Sequence, residues 1–161
     1  MTKTKNPYII PYSVGIAIPI AVGLLSAFLT MGNMDIYQKV VTPPLSPPGF
    51  LFPIVWSALY ILMGISSATV YLKKERDPLS AAMGLKFYAF SLLFNFGWSI
   101  IFFNLGAFSV AFVWLLVLLY LIIRTVICYH KVEPVSAYLQ IPYIIWVAFA
   151  GYLNLGIVFL N

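Results

Sequence analysis

Apolar residues in this chain form long uninterrupted runs instead of short alternations. Four windows hold no Asp, Glu, Lys or Arg, namely 6–34, 40–72, 87–123 and 134–161. A membrane-spanning helix needs about 20 consecutive apolar residues. The third window is long enough for two such helices, with a turn at Asn104-Leu105-Gly106 between them. The pattern therefore predicts five spanning helices, near residues 10–30, 53–72, 85–103, 107–129 and 135–160. The runs lack a period of two, which disfavours an outer-membrane β-barrel.

One long irregular stretch interrupts the apolar pattern. From Met31 to Trp56 the sequence reads MGNMDIYQKVVTPPLSPPGFLFPIVW, with prolines at 43, 44, 47, 48 and 53. Proline lacks an N–H donor and has a fixed φ angle, so the segment is predicted to form neither a helix nor an inner strand. The segment predicts a structured, semi-rigid lid over a membrane bundle.

Composition places the whole chain in the membrane as one domain over residues 1–161. It is 63% hydrophobic and only 8% charged, with a mean hydropathy of +1.00. A domain of this size with this composition has too few polar residues to cover a surface that faces water. The fold class predicted is thus an all-α integral membrane protein, a five-helix bundle with a proline-rich loop capping a pocket.

The basic residues predict an orientation. With five crossings all of them except Lys39 fall on the side of the N-terminus: Lys3, Lys5, Lys73, Lys74, Arg76, Lys86, Arg124 and Lys131. By the positive-inside rule the N-terminus is cytoplasmic, and the lid and C-terminus lie outside, in the plasma membrane of a bacterium. The net charge of +5 then indicates anionic lipid headgroups as a partner, and no nucleic acid.

Several kinds of chemistry are disfavoured by absent residues. No ionisable side chain lies in the middle of a predicted span, where pumps and ion-coupled transporters carry them. The single histidine, His130, falls in a predicted cytoplasmic turn, so no histidine pair is available for haem iron or zinc. We expect neither a metal nor a cofactor.

Amide and aromatic side chains remain at membrane depth. Asn95 lies in the middle of the third span, and Trp98, three residues later, shares its face. Because an unpaired amide in hydrocarbon costs several kcal/mol, Asn95 is expected to face the bundle interior. It could bond a neighbouring helix or line a pocket, and both roles are compatible. Trp56 and Tyr60 share a face of the second span in the same way.

Small residues line one face of the first span, at Gly15, Gly23 and Ala27. Small residues four apart allow close helix packing, either within one chain or between chains. This stripe makes a homodimer one expectation.

Three groups of residues resemble one known family. They are Tyr37…Pro43-x3-Pro47-Pro48…Pro53-x2-Trp56-x3-Tyr60, then Asn95-x2-Trp98-x3-Phe102-Phe103, and finally Pro142-Tyr143-x2-Trp146-x2-Phe149-Ala150-x2-Leu153-Asn154. In this order, within five apolar runs, they resemble the translocator protein and tryptophan-rich sensory protein family (TspO/MBR, or peripheral benzodiazepine receptors).

The resemblance implies a five-helix bundle, often dimeric, with a pocket under the first loop. It implies lid residues at Pro43, Pro47 and Pro48. The ligand-binding residues that it implies are Tyr37, Trp56, Tyr60, Asn95, Trp98, Trp146, Ala150 and Leu153. Family members bind porphyrins such as protoporphyrin IX, and animal members also bind cholesterol. The C-terminal cholesterol pattern is missing here, where the sequence ends GIVFLN, which disfavours cholesterol.

Three functions remain open at this point. The first is a membrane receptor for porphyrins and related flat apolar ligands, which it would move or sense. The second is an enzyme that degrades protoporphyrin with light and oxygen, with Trp56 and Trp98 as candidate catalytic residues. The third is a regulatory membrane protein that acts through a partner.

Overall fold

The computed structural model describes residues 7–161, and in this part of the chain five helical segments are long and apolar enough to cross a membrane. Their helices are α1 (Ile9–Thr30), α3 (Leu51–Leu72), α4 (Pro78–Ser99), α5 (Phe108–Val132), and the pair α6 (Pro134–Leu139) and α7 (Ile141–Leu160). A π-helical turn, Ile100–Asn104, extends α4, and a short helix α2 (Ile36–Lys39) lies in the lid. The predicted five-helix membrane bundle is confirmed. Lys3 and Lys5 lie outside the described residues.

The third span begins seven residues before the predicted start at residue 85. Asp77 precedes its first turn, and its Oδ1 accepts the Ser80 N–H at 3.0 Å. Pro78 occupies the first helical position, where a missing N–H removes no helical bond. The hydrogen bonds from Ser80 also lower the pKa of Asp77 below its ordinary value. The helix therefore begins at this cap, before Lys86, whereas the prediction placed its start near Lys86 because the charge-free window begins at residue 87.

The lid contains more helix than its prolines predicted. The short helix α2 forms before the first proline, and α3 starts at Leu51, two residues before Pro53. Pro53 is therefore the third residue of α3, and the first N–H groups of a helix have no acceptor within it. Between the two helices Leu45 adopts a left-handed φ of 68°. The prediction that the proline-rich segment forms no helix is thus wrong before its first proline, in α2, and at its end, where α3 begins two residues before the predicted start at 53.

The fifth span is broken at Gln140, which the pattern did not predict. Pro142 follows within the first turn of α7 and has no N–H to donate to the preceding turn. Gln140 is fully buried, and its Nε2 donates to Ser66 Oγ on α3 at 3.3 Å. The break therefore turns a polar side chain into the bundle.

The helices form a closed ring in which α1 packs on α3, α3 on α6, α5 on α6 and α7, α4 on α5, and α1 on α4. Gly15 and Gly64 allow the closest approach, since a Cβ at Gly64 would lie 2.6 Å from the Gly15 carbonyl oxygen. At Gly23 the neighbour is the ring of Tyr60. These small residues therefore serve packing between α1 and α3 of one chain. The homodimer stays a prediction.

At the end of the bundle opposite the lid, Glu133 joins two connections. Its carboxylate accepts from Lys73 and Arg76, which lie between α3 and α4, while Glu133 itself separates α5 from α6. The hydrogen bond from Lys73 lowers the pKa of Glu133 below its ordinary value of 4.5, and the charge of Arg76 acts in the same direction. We call this group the Glu133 clasp.

Candidate functional site

A cavity of about 990 Å³ lies under the lid, in the half of the bundle nearest to it. Its wall is formed by the last turns of α1, α4 and α7, the first half of α3, and the lid itself. It forms there because α3 and α7 make few contacts with each other while α1 and α4 close the ring. Pockets that enclose small organic ligands are about 300–1,000 Å³, so this one is at the large end.

Seven of the eight residues expected to bind a ligand lie on this wall. They are Tyr37, Trp56, Tyr60, Asn95, Trp98, Ala150 and Leu153. Trp146 does not line the cavity, and its ring packs against Phe52 and Phe149 with centroids 5.8 Å away in each case. The structure thus brings the seven together, and their role in binding stays a prediction.

Two of the three lid prolines also reach the cavity. Pro47 and Pro48 line it, beside Ser46 and Gly49. Pro43 is buried instead against Gly156 of α7, where a Cβ would lie 2.6 Å from the proline Cβ. Pro43 therefore seats the lid on α7, and the later prolines form the roof.

Aromatic rings provide most of the rigid surface. Trp56 and Tyr60 are one turn apart on α3, and their rings stack with centroids 5.5 Å apart and planes 28° apart. On α4 Trp98 packs on Phe102 at 5.1 Å and on Phe103 at 6.0 Å between ring centroids. Aromatic faces offer stacking surfaces for a flat conjugated ligand.

Amide side chains supply the polar groups. Asn95 is 3% exposed, and its Nδ2 donates to the Tyr60 hydroxyl at 3.3 Å, which confirms that it faces the interior. Asn154 Oδ1 accepts from the Trp98 indole at 3.4 Å, and its Nδ2 donates to the Phe108 carbonyl at 2.9 Å. Both amides therefore bridge helices and hold an aromatic wall residue in place.

Formal charge is absent from the part of the wall that the structure describes. None of the lining residues within 7–161 is Asp, Glu, Lys, Arg or His. Over the same residues, no group of three or more His, Cys, Asp or Glu side chains could hold a metal ion. The site suits an uncharged, largely apolar ring system that a few hydrogen bonds orient.

Hydrogen bonds to backbone carbonyls fasten the lid. The Tyr37 hydroxyl donates to Pro47 at 3.3 Å, and the Tyr152 hydroxyl of α7 donates to Pro44 at 2.9 Å. Asn161 pairs with the backbone of Val41 in both directions, at 2.9 and 3.0 Å. The roof is thus anchored mainly to the end of α7.

The cavity also opens sideways, between α1 and α3. Leu24 and Ile61 line it although they are 67% and 42% exposed. Because exposed side chains of both helices line the cavity, its wall reaches the outer surface of the bundle there, beside the contact between Gly23 and the Tyr60 ring. We call this part of the wall, flanked by Leu24 and Ile61, the lateral opening.

Sequence reasoning missed several wall residues. Asn154 shares the face of Trp146 and Ala150 and was a detectable signal, because a buried amide needs partners. Phe102 and Phe103 follow Trp98 by one turn, and the π-helical turn brings both to the wall. The contribution of α1, which includes Ser26 and Thr30, had no signal, since their spacing does not reveal which face is buried.

Comparisons with known proteins agree with this architecture. The model of the TspO/MBR family matches residues 15–160. The tryptophan-rich protein TspO of Chlorobaculum tepidum is 33% identical over 157 residues, covering 97% of this chain and 99% of that protein. Protein CrtK of Rhodobacter capsulatus is 37% identical over 78% of each chain. The translocator protein of Bos taurus is 33% identical over 82% of this chain and 79% of its own.

Proposed function

This chain belongs to the TspO/MBR family of membrane proteins, and from that premise we propose that it is a membrane receptor for porphyrins and related flat apolar ligands. Two relatives are named translocator protein (Bos taurus) and tryptophan-rich sensory protein (Cereibacter sphaeroides), and these names leave moving and sensing such a ligand as two forms of this proposal.

The observation that carries the proposal is the cavity under the lid. Its stacked pair Trp56–Tyr60 on one wall and Trp98 on another offer two aromatic surfaces to a flat macrocycle. Asn95 supplies an amide near the deep end for a polar edge of the ligand. A wall without formal charge favours a ligand that is itself mostly apolar.

The lateral opening suits the same ligand class. A porphyrin partitions into a bilayer, and an opening at the level of Leu24 and Ile61 would admit it from lipid without passage through water. No Asp, Glu, Lys, Arg or His on the described wall couples binding to an ion, so movement would be facilitated or regulatory.

The test is a titration of purified protein with protoporphyrin IX in the dark, following the absorbance of bound porphyrin. We expect saturable binding that weakens in Asn95→Ala and in Trp56→Phe. Trp114→Phe is the matched control, because Trp114 packs on Phe94 outside the cavity. Size-exclusion profiles show whether each variant is folded. Unsaturable uptake, equal in all four proteins, would contradict the proposal.

Light-dependent degradation of the same ligand is a second candidate. It is favoured by the position of both candidate redox residues, Trp56 and Trp98, on the wall of one cavity. The bound pigment would absorb light and dioxygen would be the oxidant. Bleaching under light and oxygen is expected to fall in Trp56→Phe and in Trp98→Phe. Bleaching at the native rate in the double variant would remove this candidate.

A regulatory role through a partner is the third candidate. The segment from Lys73 to Lys86, which consists of the connection after α3 and the first turns of α4, carries most of the charged residues at the end opposite the lid, and its connection meets Glu133 in the clasp. A partner contact there would make hydrogen exchange of this connection depend on porphyrin. Identical exchange with and without porphyrin would argue against it.

We also propose that the protein lies in a bacterial plasma membrane with the clasp end in the cytoplasm and the lid outside. The basic residues Lys73, Lys74, Arg76 and Lys131 support this orientation by the positive-inside rule. Lys74→Cys and Leu45→Cys test it with a membrane-impermeant maleimide, because the native Cys128 is buried. Labelling of Lys74→Cys in intact cells would reverse the orientation.

A further inference from the structure

A second, open depression lies on the outside of the bundle, where α4 packs against α5. It has a volume of about 580 Å³ and lies in the half of α5 nearest the lid, where it is lined by Phe94, Ser109, Val110, Val113, Trp114 and Val117. No described residue lines both this depression and the cavity under the lid. Val113 and Val117 are 59% and 40% exposed, so the depression faces lipid in the membrane.

The half-buried ring of Trp114 keeps this depression open. It stacks on Phe94 with centroids 4.4 Å apart and planes 22° apart, and its indole N–H donates to the Phe94 carbonyl at 2.7 Å. Gly97 leaves room for the ring, because a Cβ there would lie 2.9 Å from Trp114 Cζ2. The indole is therefore held against α4 instead of projecting into lipid, and its one polar group is already paired.

Two rows of side chains extend the depression toward the end opposite the lid. Residues three and four apart share one face of a helix. The rows that border the contact between the two helices are Phe87, Phe90 and Phe94 on α4, and Val113, Val117, Tyr120 and Arg124 on α5. The rows meet at both ends, at Phe94 with Trp114 and at Phe87 with Arg124. We call the surface between these two rows the α4–α5 groove.

A positioned cation lies at the end of the groove away from the lid. The Arg124 guanidinium carbon is 5.1 Å from the Phe87 ring centroid and 5.9 Å from that of Tyr120, and Nη1 donates to the Tyr120 hydroxyl at 3.2 Å. These contacts hold the guanidinium over the groove. Within residues 7–161 the ion pairs use the carboxylates of Asp35 and Glu133, and neither includes Arg124. Its counter-charge is thus left to a group outside the chain.

We propose that the α4–α5 groove binds an anionic phospholipid, with its phosphate at Arg124 and an acyl chain along the groove as far as Trp114. The planar guanidinium matches the geometry of a phosphate. Ten residues separate Arg124 from Trp114 along α5, which is a rise of about 15 Å, or half of the hydrocarbon core of about 30 Å that two leaflets share. Charge disfavours a second copy of this chain as the occupant, because its spans contain no Asp or Glu to pair with Arg124.

A neighbouring lysine favours a lipid with net negative charge. Lys86 is exposed and directly precedes Phe87, so a second positive charge lies close to the level of Arg124. Basic residues at the membrane surface attract anionic headgroups. Phosphatidylcholine would bring a cation of its own to this place, whereas phosphatidylglycerol brings only the phosphate charge. The groove is therefore expected to prefer phosphatidylglycerol.

Quenching of Trp114 fluorescence tests the site without porphyrin, so the result does not depend on the proposed function. The protein is reconstituted in phosphatidylcholine vesicles with a small fraction of phosphatidylglycerol or phosphatidylcholine whose acyl chains carry bromine, which quenches tryptophan on contact. The Trp114 signal is the emission that Trp114→Phe lacks. We expect stronger quenching by brominated phosphatidylglycerol than by brominated phosphatidylcholine at the same fraction. Equal quenching by the two lipids would overturn the proposal.

Arg124→Gln tests the position of the phosphate, since it removes the charge and keeps a long polar side chain. The preference for phosphatidylglycerol should fall by about fivefold, the effect of one basic residue at an anionic membrane surface. Lys74→Gln is the matched control, because Lys74 also lies over a tyrosine ring, that of Tyr71 at 4.5 Å, but away from the groove. A preference that survives in Arg124→Gln, or falls equally in Lys74→Gln, would overturn the phosphate position.

Val117→Phe tests the position of the acyl chain, because it fills the groove without changing the charge. Leu116→Phe is its control, since Leu116 is 50% exposed but does not line the depression. In native mass spectrometry of detergent-purified protein titrated with phosphatidylglycerol, Val117→Phe should retain less bound lipid than Leu116→Phe. Equal retention would overturn the acyl-chain position. Absence of Trp114 quenching by either brominated lipid would mean that a second copy of the chain covers the groove, which also overturns the proposal.

Discussion

Gly64 of α3 shows at the scale of one residue how closely two helices of this bundle approach. A Cβ there would lie 2.6 Å from the Gly15 carbonyl oxygen and 2.5 Å from Ile16 Cα of α1. Backbone atoms cannot move aside as side chains do, so Gly64→Ala should cost about 1–3 kcal/mol through overpacking. For a chain of this size that is a fall in Tm of about 2–10 °C.

Gly151 provides the matched control for this prediction. It also lies in a helix, α7, but a Cβ there meets nothing within 4 Å. Gly151→Ala should therefore leave Tm unchanged or raise it slightly, because alanine favours a helix by up to about 1 kcal/mol. Equal losses in both variants would show that close approach of α1 and α3 is not the cause.

Two tryptophans were both expected from the sequence to bind a ligand, but only one of them lines the cavity. Trp98 lines the cavity, whereas Trp146 lies behind Phe52. Trp98→Phe should weaken protoporphyrin IX binding by about 2–10-fold, the effect of one aromatic contact worth about 0.5–1.5 kcal/mol. Trp146→Phe should change the dissociation constant by less than twofold. An equal loss in both variants would mean that Trp146 reaches the ligand.

At the scale of elements, the lid is held against α7, and if porphyrin binds in the cavity as proposed, these contacts would slow its release past the lid. Tyr152 and Asn161 bond the lid backbone at Pro44 and Val41, and Pro43 is buried beside Gly156. Because one such hydrogen bond contributes about 0.5–1.5 kcal/mol, Tyr152→Phe should raise the porphyrin dissociation rate by about 2–10-fold. Stopped-flow displacement measures this rate.

Tyr71→Phe is the control for the lid prediction, since Tyr71 is an exposed tyrosine at the far end of α3. A dissociation rate in Tyr152→Phe equal to that of Tyr71→Phe would show that the Tyr152 hydrogen bond does not limit release of the ligand.

For the whole molecule, the Glu133 clasp joins four helices at the end opposite the lid. The pKa of Glu133 is lowered in the folded protein, first by the hydrogen bond from Lys73. The clasp therefore contributes stability above the unfolded pKa of about 4.5, and this contribution is lost as pH falls through the lower folded value. The native protein should lose more Tm than Glu133→Gln does between pH 7 and pH 3.5, measured by thermal unfolding in detergent.

Asp35 and Asp77 also have lowered pKa values, so acid destabilises both proteins to some extent. Only the difference between native protein and Glu133→Gln reports the clasp. Parallel loss of Tm in the two would show that Lys73 and Arg76 do not hold Glu133 in its charged form. High salt at pH 7 should reduce the amount by which the Tm of the native protein exceeds that of Glu133→Gln, because Lys73 and Arg76 are partly exposed.

The sequence by itself determined the membrane location, the five spans and the interior position of Asn95. Each of these follows from a local cost: apolar runs are expelled from water, and an unpaired amide is expelled from lipid. The turn at Gly106, with its φ of 60°, was likewise readable from residue type. The early start of α4 at the Asp77 cap was readable too, but the charge on Lys86 outweighed it in the pattern.

Only the tertiary structure decided which residues share the cavity. Hydrophobic spans look alike on all sides, because lipid and protein interior are both apolar, so sequence spacing does not reveal which face packs on a neighbour. Trp146 was therefore placed in the wall while Asn154, Phe102 and Ser26 were not. The break at Gln140 and the glycine contact between α1 and α3 both depend on distant helices meeting, and that is decided by packing in three dimensions.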